Sequence, residues 1–150
     1  MKNSLTINSG SIVPVDTIRF IRPIGPEERA RLVERYGEDA SDFNISLHFA
    51  DKSTKLAKQS LDDVRGQGIG LVNVGADRHV VAANIKRADP FTKDDAAKLT
   101  GERGFTLNQT FRSRVETTAG TVLSSATPAQ IMERRSKAIE TSVPKTPTQG

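Results

Sequence analysis

The chain of 150 residues contains no cysteine and no tryptophan, one tyrosine and two histidines. Without cysteine there is no disulfide, no thiolate nucleophile and no cysteine-held zinc. The shortage of aromatic rings leaves little surface on which nucleic-acid bases could stack. His48 and His79 could hold a metal only if carboxylates such as Asp51 or Asp77 completed the set, and nothing in their spacing makes them converge. No run approaches the roughly 18 apolar residues needed to cross a bilayer. Met1 to Ser11 lacks the apolar stretch of a secretory signal, so a cytoplasmic protein without a membrane partner is the expectation. Hydrophobic residues make up only 35% of the chain, below the roughly 45–50% (glycine included) of ordinary domains. A homodimer would ease that shortage.

Charge is plentiful by contrast. The formal net charge is +4 and the sequence pI about 9.6, which favours polyanionic partners without specifying a fold. Arg19, Arg22, Arg29, Arg31 and Arg35 enrich the first part, and Glu38, Asp39, Asp42, Asp51, Asp62 and Asp63 make the middle acidic. Arg103, Arg112, Arg114, Arg134, Arg135 and Lys137 make the last third basic again.

The organising stretch is Ile18 to Ile24. A shift of 67 positions lays Ile18 on Ile85, Arg19 on Lys86, Pro23 on Pro90, Leu32 on Leu99 and Gly37 on Gly104. A one-residue slip brings Phe43 to Phe111, and its reversal brings Ser60 to Thr127 and Val64 to Ile131. This pattern predicts an internal duplication, with one copy over about 12–85 and the other over about 80–140. Each copy reads as strand, helix, hairpin, helix. The expected fold class is α+β, a mostly antiparallel sheet with helices packed on one face. Residues 1–11 read as a flexible arm and 141–150 as a disordered tail.

Local signals fill in the elements. Val15 to Ile24 is β-branched and ends at a proline. Pro26, Glu27 and Glu28 open a helix that Gly37 stops. Phe43, Ile45, Leu47 and Phe49 alternate with polar residues, predicting a half-buried strand whose partner is Thr54 to Ala57. Ser60 and Asp63 form a capping box, and Gly66, Gly68 and Gly70 end that helix. Leu71 to Val74 and His79 to Ile85 read as strands about a turn. Thr92 to Leu99 reads as a helix, Phe111 to Thr118 and Thr121 to Ala126 as a hairpin. Thr127-Pro128-Ala129-Gln130 starts a last helix running to Lys137 or Glu140.

The stretches that could carry chemistry have plainer readings. Gly66 to Gly70 follows a helix and precedes a strand, the reverse of a phosphate-binding loop. Glu27-Glu28, Asp62-Asp63 and Asp94-Asp95 each sit in a first helical turn, where the macrodipole explains them. Neighbouring positions on a helix also diverge, so paired acid–base catalysis is excluded for them. No nucleophile, metal or cofactor constellation points to an enzyme, and no cofactor is expected. The basic last third remains. It predicts a regulatory protein that binds DNA, with Arg112, Arg114, Arg134, Arg135 and Lys137 on phosphates. The alternative is a protein–protein module: a small inhibitor, an adaptor or a structural subunit of a larger assembly.

Overall fold

The structure is a computed structural model, and it describes residues 3–92, 94–95, 97 and 111–142. In chain order it holds β1 (Ser4–Ile7), β2 (Ser11–Pro14), β3 (Ile18–Pro23), α1 (Pro26–Tyr36), β4 (Ile45–Phe49), β5 (Thr54–Ala57) and α2 (Leu61–Gly66). Then come β6 (Leu71–Gly75), β7 (Arg78–Val81), β8 (Ile85–Pro90), β9 (Ser113–Thr117), β10 (Gly120–Ser124) and α3 (Pro128–Ser142). Short 3-10 turns over Val15–Thr17 and Ala82–Asn84 lead into β3 and β8, and a third, Glu38–Asp42, follows α1. Helices and antiparallel strands together make the fold α+β.

Three sheets form: β1-β2, β5-β4-β3-β7-β6 and β10-β9-β8. In the central sheet β3 pairs with β4 on one side, Ile21 opposite Leu47, and with β7 on the other, Ile21 opposite His79. The β3–β4 register slips by one residue between Ile18 and Phe20, and the β8–β9 register slips likewise between Ile85 and Arg87. Side chains alternate across a strand, so each face of the central sheet builds its own core. On one face Ile18, Ile21, Ile45, Leu47, Leu71 and Val81 pack with Leu5, Ile7 and Val13 of the first hairpin and Val64 of α2. On the other, Val72, Val74 and Val80 pack with Val115, Val122 and Ile131 of the third sheet and α3, with Phe20 against them. The helices therefore lie on different faces of the central sheet, not on one.

The helix starts follow their sequence signals. Pro26 occupies the first turn of α1 with Glu27 and Glu28, and Gly37 ends it at φ +95°. α2 carries a complete Ser60/Asp63 capping box. Before α3, the Thr127 N–H donates to Gln130 Oε1 at 2.9 Å and the Gln130 N–H to Thr127 Oγ1 at 3.2 Å. α1 buries none of its residues completely, so it lies along the sheet and not in a core.

Several expectations are corrected. Three helices are described from end to end, one fewer than two strand-helix-hairpin-helix copies require, and beyond them Asp94, Asp95 and Ala97 are helical. The helix expected over Thr92 to Leu99 falls partly outside the described residues, although Thr92 and Asp95 there form a capping box at 2.9 and 3.2 Å. The strand expected from His79 to Ile85 is broken by the 3-10 turn at Ala82. The arm expected over residues 1–11 is instead hairpin β1-β2, with Leu5 and Ile7 fully buried. Asn8, Ser9 and Gly10 turn it with positive φ throughout, a conformation that glycine takes freely and asparagine more readily than most residues. α3 extends to Ser142, two residues into the expected tail.

Candidate interaction site

The five residues predicted to meet phosphate do not gather on one surface. Arg114 alternates with the buried Ser113, Val115 and Thr117 and so faces away from α3. On that outward face Arg87 stands opposite Glu116, and Asp89 opposite Arg114. Arg87 pairs with Asp89 at 2.9 Å and Arg114 with Glu116 at 3.4 Å. The result is a quartet of alternating charge with no net sign. Arg112, just before β9, is exposed. On α3, Arg134 Nη1 donates to the Asn73 carbonyl at 2.9 Å, Arg135 Nε donates to the Ile85 carbonyl at 3.1 Å, and Lys137 pairs with Glu133 at 3.5 Å.

A second cationic group, unseen from the sequence, lies where the central sheet meets the third. Arg19 Nη2 donates to the Thr121 carbonyl at 2.7 Å and Arg78 Nη2 to the Leu123 carbonyl at 2.8 Å. Both guanidiniums lie within 6 Å of the Phe20 ring centre, an attractive cation–ring geometry. Burial, together with the charges of Arg19 and Arg22, lowers the pKa of Arg78 from its usual value, and its Nε is buried without a partner.

Phe20 also stacks on His48, ring centres 4.4 Å apart, and His48 Nε2 lies 3.0 Å from Ser46 Oγ. A serine–histidine contact is half of what nucleophilic catalysis needs. Among the described residues no carboxylate hydrogen-bonds the other ring nitrogen. Both residues line a cleft of about 580 Å³ between α1 and the sheet, with Leu32, Tyr36, Phe43 and Leu56. The two histidines stand apart: His48 faces this cleft, whereas His79, paired with Ile21, faces the opposite core. Among the described residues no group of three or more His, Cys, Asp or Glu is placed to hold a metal, and no helix is long and apolar enough to cross a membrane.

Both imidazoles titrate below their ordinary value. For His79 the main cause is burial, with the Arg65 charge adding and Asp77 partly offsetting. For His48 burial again leads, followed by Arg22, with Glu28 opposing. The folded protein thus resists a proton that the unfolded chain takes up near pH 6.5. Stability should be full above that pH and fall as acid is added through the interval between the unfolded and the folded pKa. Urea unfolding of wild type and His79→Gln from pH 7.5 to 5.5 should show a shallower decline in the variant. Equal declines would mean that His79 is protonated alike in both states.

The edges of the three sheets carry a pattern of their own. In antiparallel strands alternate residues point their N–H and C=O to opposite sides, so an edge strand leaves every second residue unpaired. Among the described residues, side chains take some of these outward groups on each of the six edge strands. On β1, Gln67 accepts the Thr6 N–H at 3.0 Å and donates to the Thr6 carbonyl at 2.9 Å. On β5, Asn8 Nδ2 donates to the Leu56 carbonyl at 2.7 Å. On β6 the Asn73 carbonyl takes Arg134, and on β10 Thr121 and Leu123 take Arg19 and Arg78.

On β2 the Thr17 hydroxyl donates to the Pro14 carbonyl at 2.7 Å, and on β8 Arg135 donates to the Ile85 carbonyl. The Val15 N–H donates to Asn3 beside β1, so by alternation Ser11 and Val13 face β1 while Ile12 and Pro14 face outward. The Phe91 N–H donates to Arg112 beside β9, which by the same rule turns Ala88 and Pro90 outward. The two prolines have no N–H to leave unpaired. Among the described residues no strand or side chain covers the outward backbone of Ile12 or Ala88. Ile12 is also 69% exposed, the most exposed large hydrophobic residue described.

Comparison with known protein families, with curated proteins and with solved structures gave no match.

Proposed function

We propose that this chain is a non-enzymatic interaction module, a subunit that joins a protein assembly through its open strand edges. One observation carries the reading: on the edge strand β2, Ile12 has its outward N–H and C=O uncovered among the described residues and its side chain 69% exposed, and on the edge strand β8 the backbone of Ala88 is uncovered likewise. Adding a strand to such an edge supplies main-chain hydrogen bonds, and the exposed side chain supplies apolar burial.

The reading includes an internal duplication, supported by matched registers. Leu5 opposite Val13 and Val72 opposite Val80 are related by the 67-residue shift. Ile21 opposite Leu47 corresponds in the same way to Ala88 opposite Val115, with the one-residue slip expected between the copies. The boxes Ser60/Asp63 and Thr127/Gln130 share the shift.

Ile12→Lys tests the docking role, because a lysine on an edge strand discourages pairing and the position is too exposed to disturb the fold. In an extract of its own source, the wild-type chain should sediment with a larger particle and the variant as the free chain. Co-sedimentation of both alike would remove β2 from the interface.

DNA binding is the second reading, favoured by the exposed Arg112 and by Arg35 lying 5.3 Å from the ring centre of the exposed Tyr36. Fluorescence anisotropy against random duplex DNA at two salt concentrations separates the two. The assembly reading expects no salt-steep binding. A strong fall in affinity with salt, in proportion to the phosphates neutralised, would restore DNA as the partner.

A further inference from the structure

We infer that the partner of the open edges is a second copy of this chain, joined head to tail with β2 of one molecule against β8 of the next. The inference rests on the docking and duplication readings above and names the occupant of that same site.

The chain already contains one such joint. Hairpin β6-β7 docks against β3 with His79 opposite Ile21, and the turn after β7 completes the seam. There the buried Asn84 side chain donates to the Val15 carbonyl at 2.9 Å and the Ile18 carbonyl at 3.2 Å. Each half of this joint has a counterpart elsewhere in the chain, at the 67-residue shift. Hairpin β1-β2 is the counterpart of β6-β7: the same register over the three pairs farthest from the turn, the same 3-10 turn after it, and Ile12 in the place of His79. β8 is the counterpart of β3, with the same slip toward its other neighbour and Ala88 in the place of Ile21.

Within one molecule these two counterparts lie on different sheets and are not paired with each other. Between molecules they complete a second joint, with Ile12 opposite Ala88. The outward N–H and C=O groups of Ile12 and Ala88, uncovered among the described residues, are the ones this register pairs. Arg135 takes the Ile85 carbonyl at 3.1 Å, the group that corresponds to the Ile18 carbonyl in the internal joint. It thus fills at the open end part of the role that Asn84 fills inside.

The two surfaces differ, so the contact is heterologous. Each added molecule presents a fresh β2 at one end and a fresh β8 at the other. Such growth closes into a ring or continues as a filament; it does not stop at a dimer.

The absence of native cysteine makes a direct test available. Residues directly opposite in an antiparallel pair have Cα atoms about 4.5–5.5 Å apart, within disulfide reach. Ile12→Cys and Ala88→Cys are made separately and together in the full chain, oxidised, and run on a non-reducing gel. Each single variant alone should stay monomeric, a 1:1 mixture should stop at the covalent dimer, and the double variant should form a ladder of dimers, trimers and higher species. Sedimentation of the uncrosslinked wild type should show mass rising with concentration.

Covalent dimers from Ile12→Cys alone would mean a two-fold β2–β2 contact and would overturn the head-to-tail arrangement. A monomeric wild type with no crosslink in the mixture would overturn self-association altogether. Neither result touches the docking reading, which falls only if Ile12→Lys leaves co-sedimentation in the source extract unchanged.

Discussion

Ile21→Ala should be among the most destabilising single substitutions in this protein, costing about 2–5 kcal/mol. Ile21 is fully buried, and its strand is held on both sides, by Leu47 across β4 and His79 across β7. Truncation opens a cavity that neither neighbour can fill without leaving its ladder, so the lost transfer energy and the void add. Ile12→Ala removes the same atoms from a site already 69% in water. For the isolated chain that change should fall within about 0.5 kcal/mol of wild type. Urea unfolding of both variants side by side measures the contrast. A cost below about 1 kcal/mol for Ile21→Ala would mean that the sheet is not built around β3.

Gly70→Ala should rank close behind, by overpacking and not by a cavity. A Cβ at Gly70 would lie 2.5 Å from the Ala138 carbonyl oxygen and 2.9 Å from its carbon. These are backbone atoms in the middle of α3, with no rotamer by which to move aside. The second half of the helix, where Ala138 and Ile139 pack on the core, must lift from the sheet. Overpacking of this kind costs about 1–3 kcal/mol and occasionally more. Gly66→Ala is the control, since nothing lies within 4 Å of its added Cβ. The expected result is a clear drop in Tm for Gly70→Ala with early proteolytic cleavage in α3, and neither change for Gly66→Ala. A wild-type Tm in Gly70→Ala would mean that α3 does not press on this turn.

What could be read from the chain in advance was what is written locally. Pro26, Gly37, the Ser60/Asp63 box and Thr127-Pro128 act within one turn of their own helix, and each marks an observed helix end. The alternation over Ile45 to Phe49 likewise announced β4. Hairpin β1-β2 escaped because its strands of four residues are written partly in serine and threonine. Its stability comes from partners such as Gln67, far along the chain. The basic last third misled for a related reason. Composition counts a guanidinium as a charge, whereas Arg134 and Arg135 are placed as hydrogen-bond donors to distant carbonyls, and Arg114 sits in a neutral quartet. The open edges did leave a trace in the sequence. Pro14 and Pro90 end their strands and leave no N–H there, although Pro23 ends the central strand β3 in the same way.

Hairpin β6-β7 faces two ways. Leu71 and Val81 belong to the core shared with β1, β2 and α2, while Val72, Val74 and Val80 belong to the core shared with β9, β10 and α3. One ribbon of nine or so residues therefore forms a wall of both cores, and Asn84 at its end is tied to the backbone that opens β3. Any fluctuation that loosens the ribbon empties both cores together. The two halves should therefore melt together, in one cooperative transition.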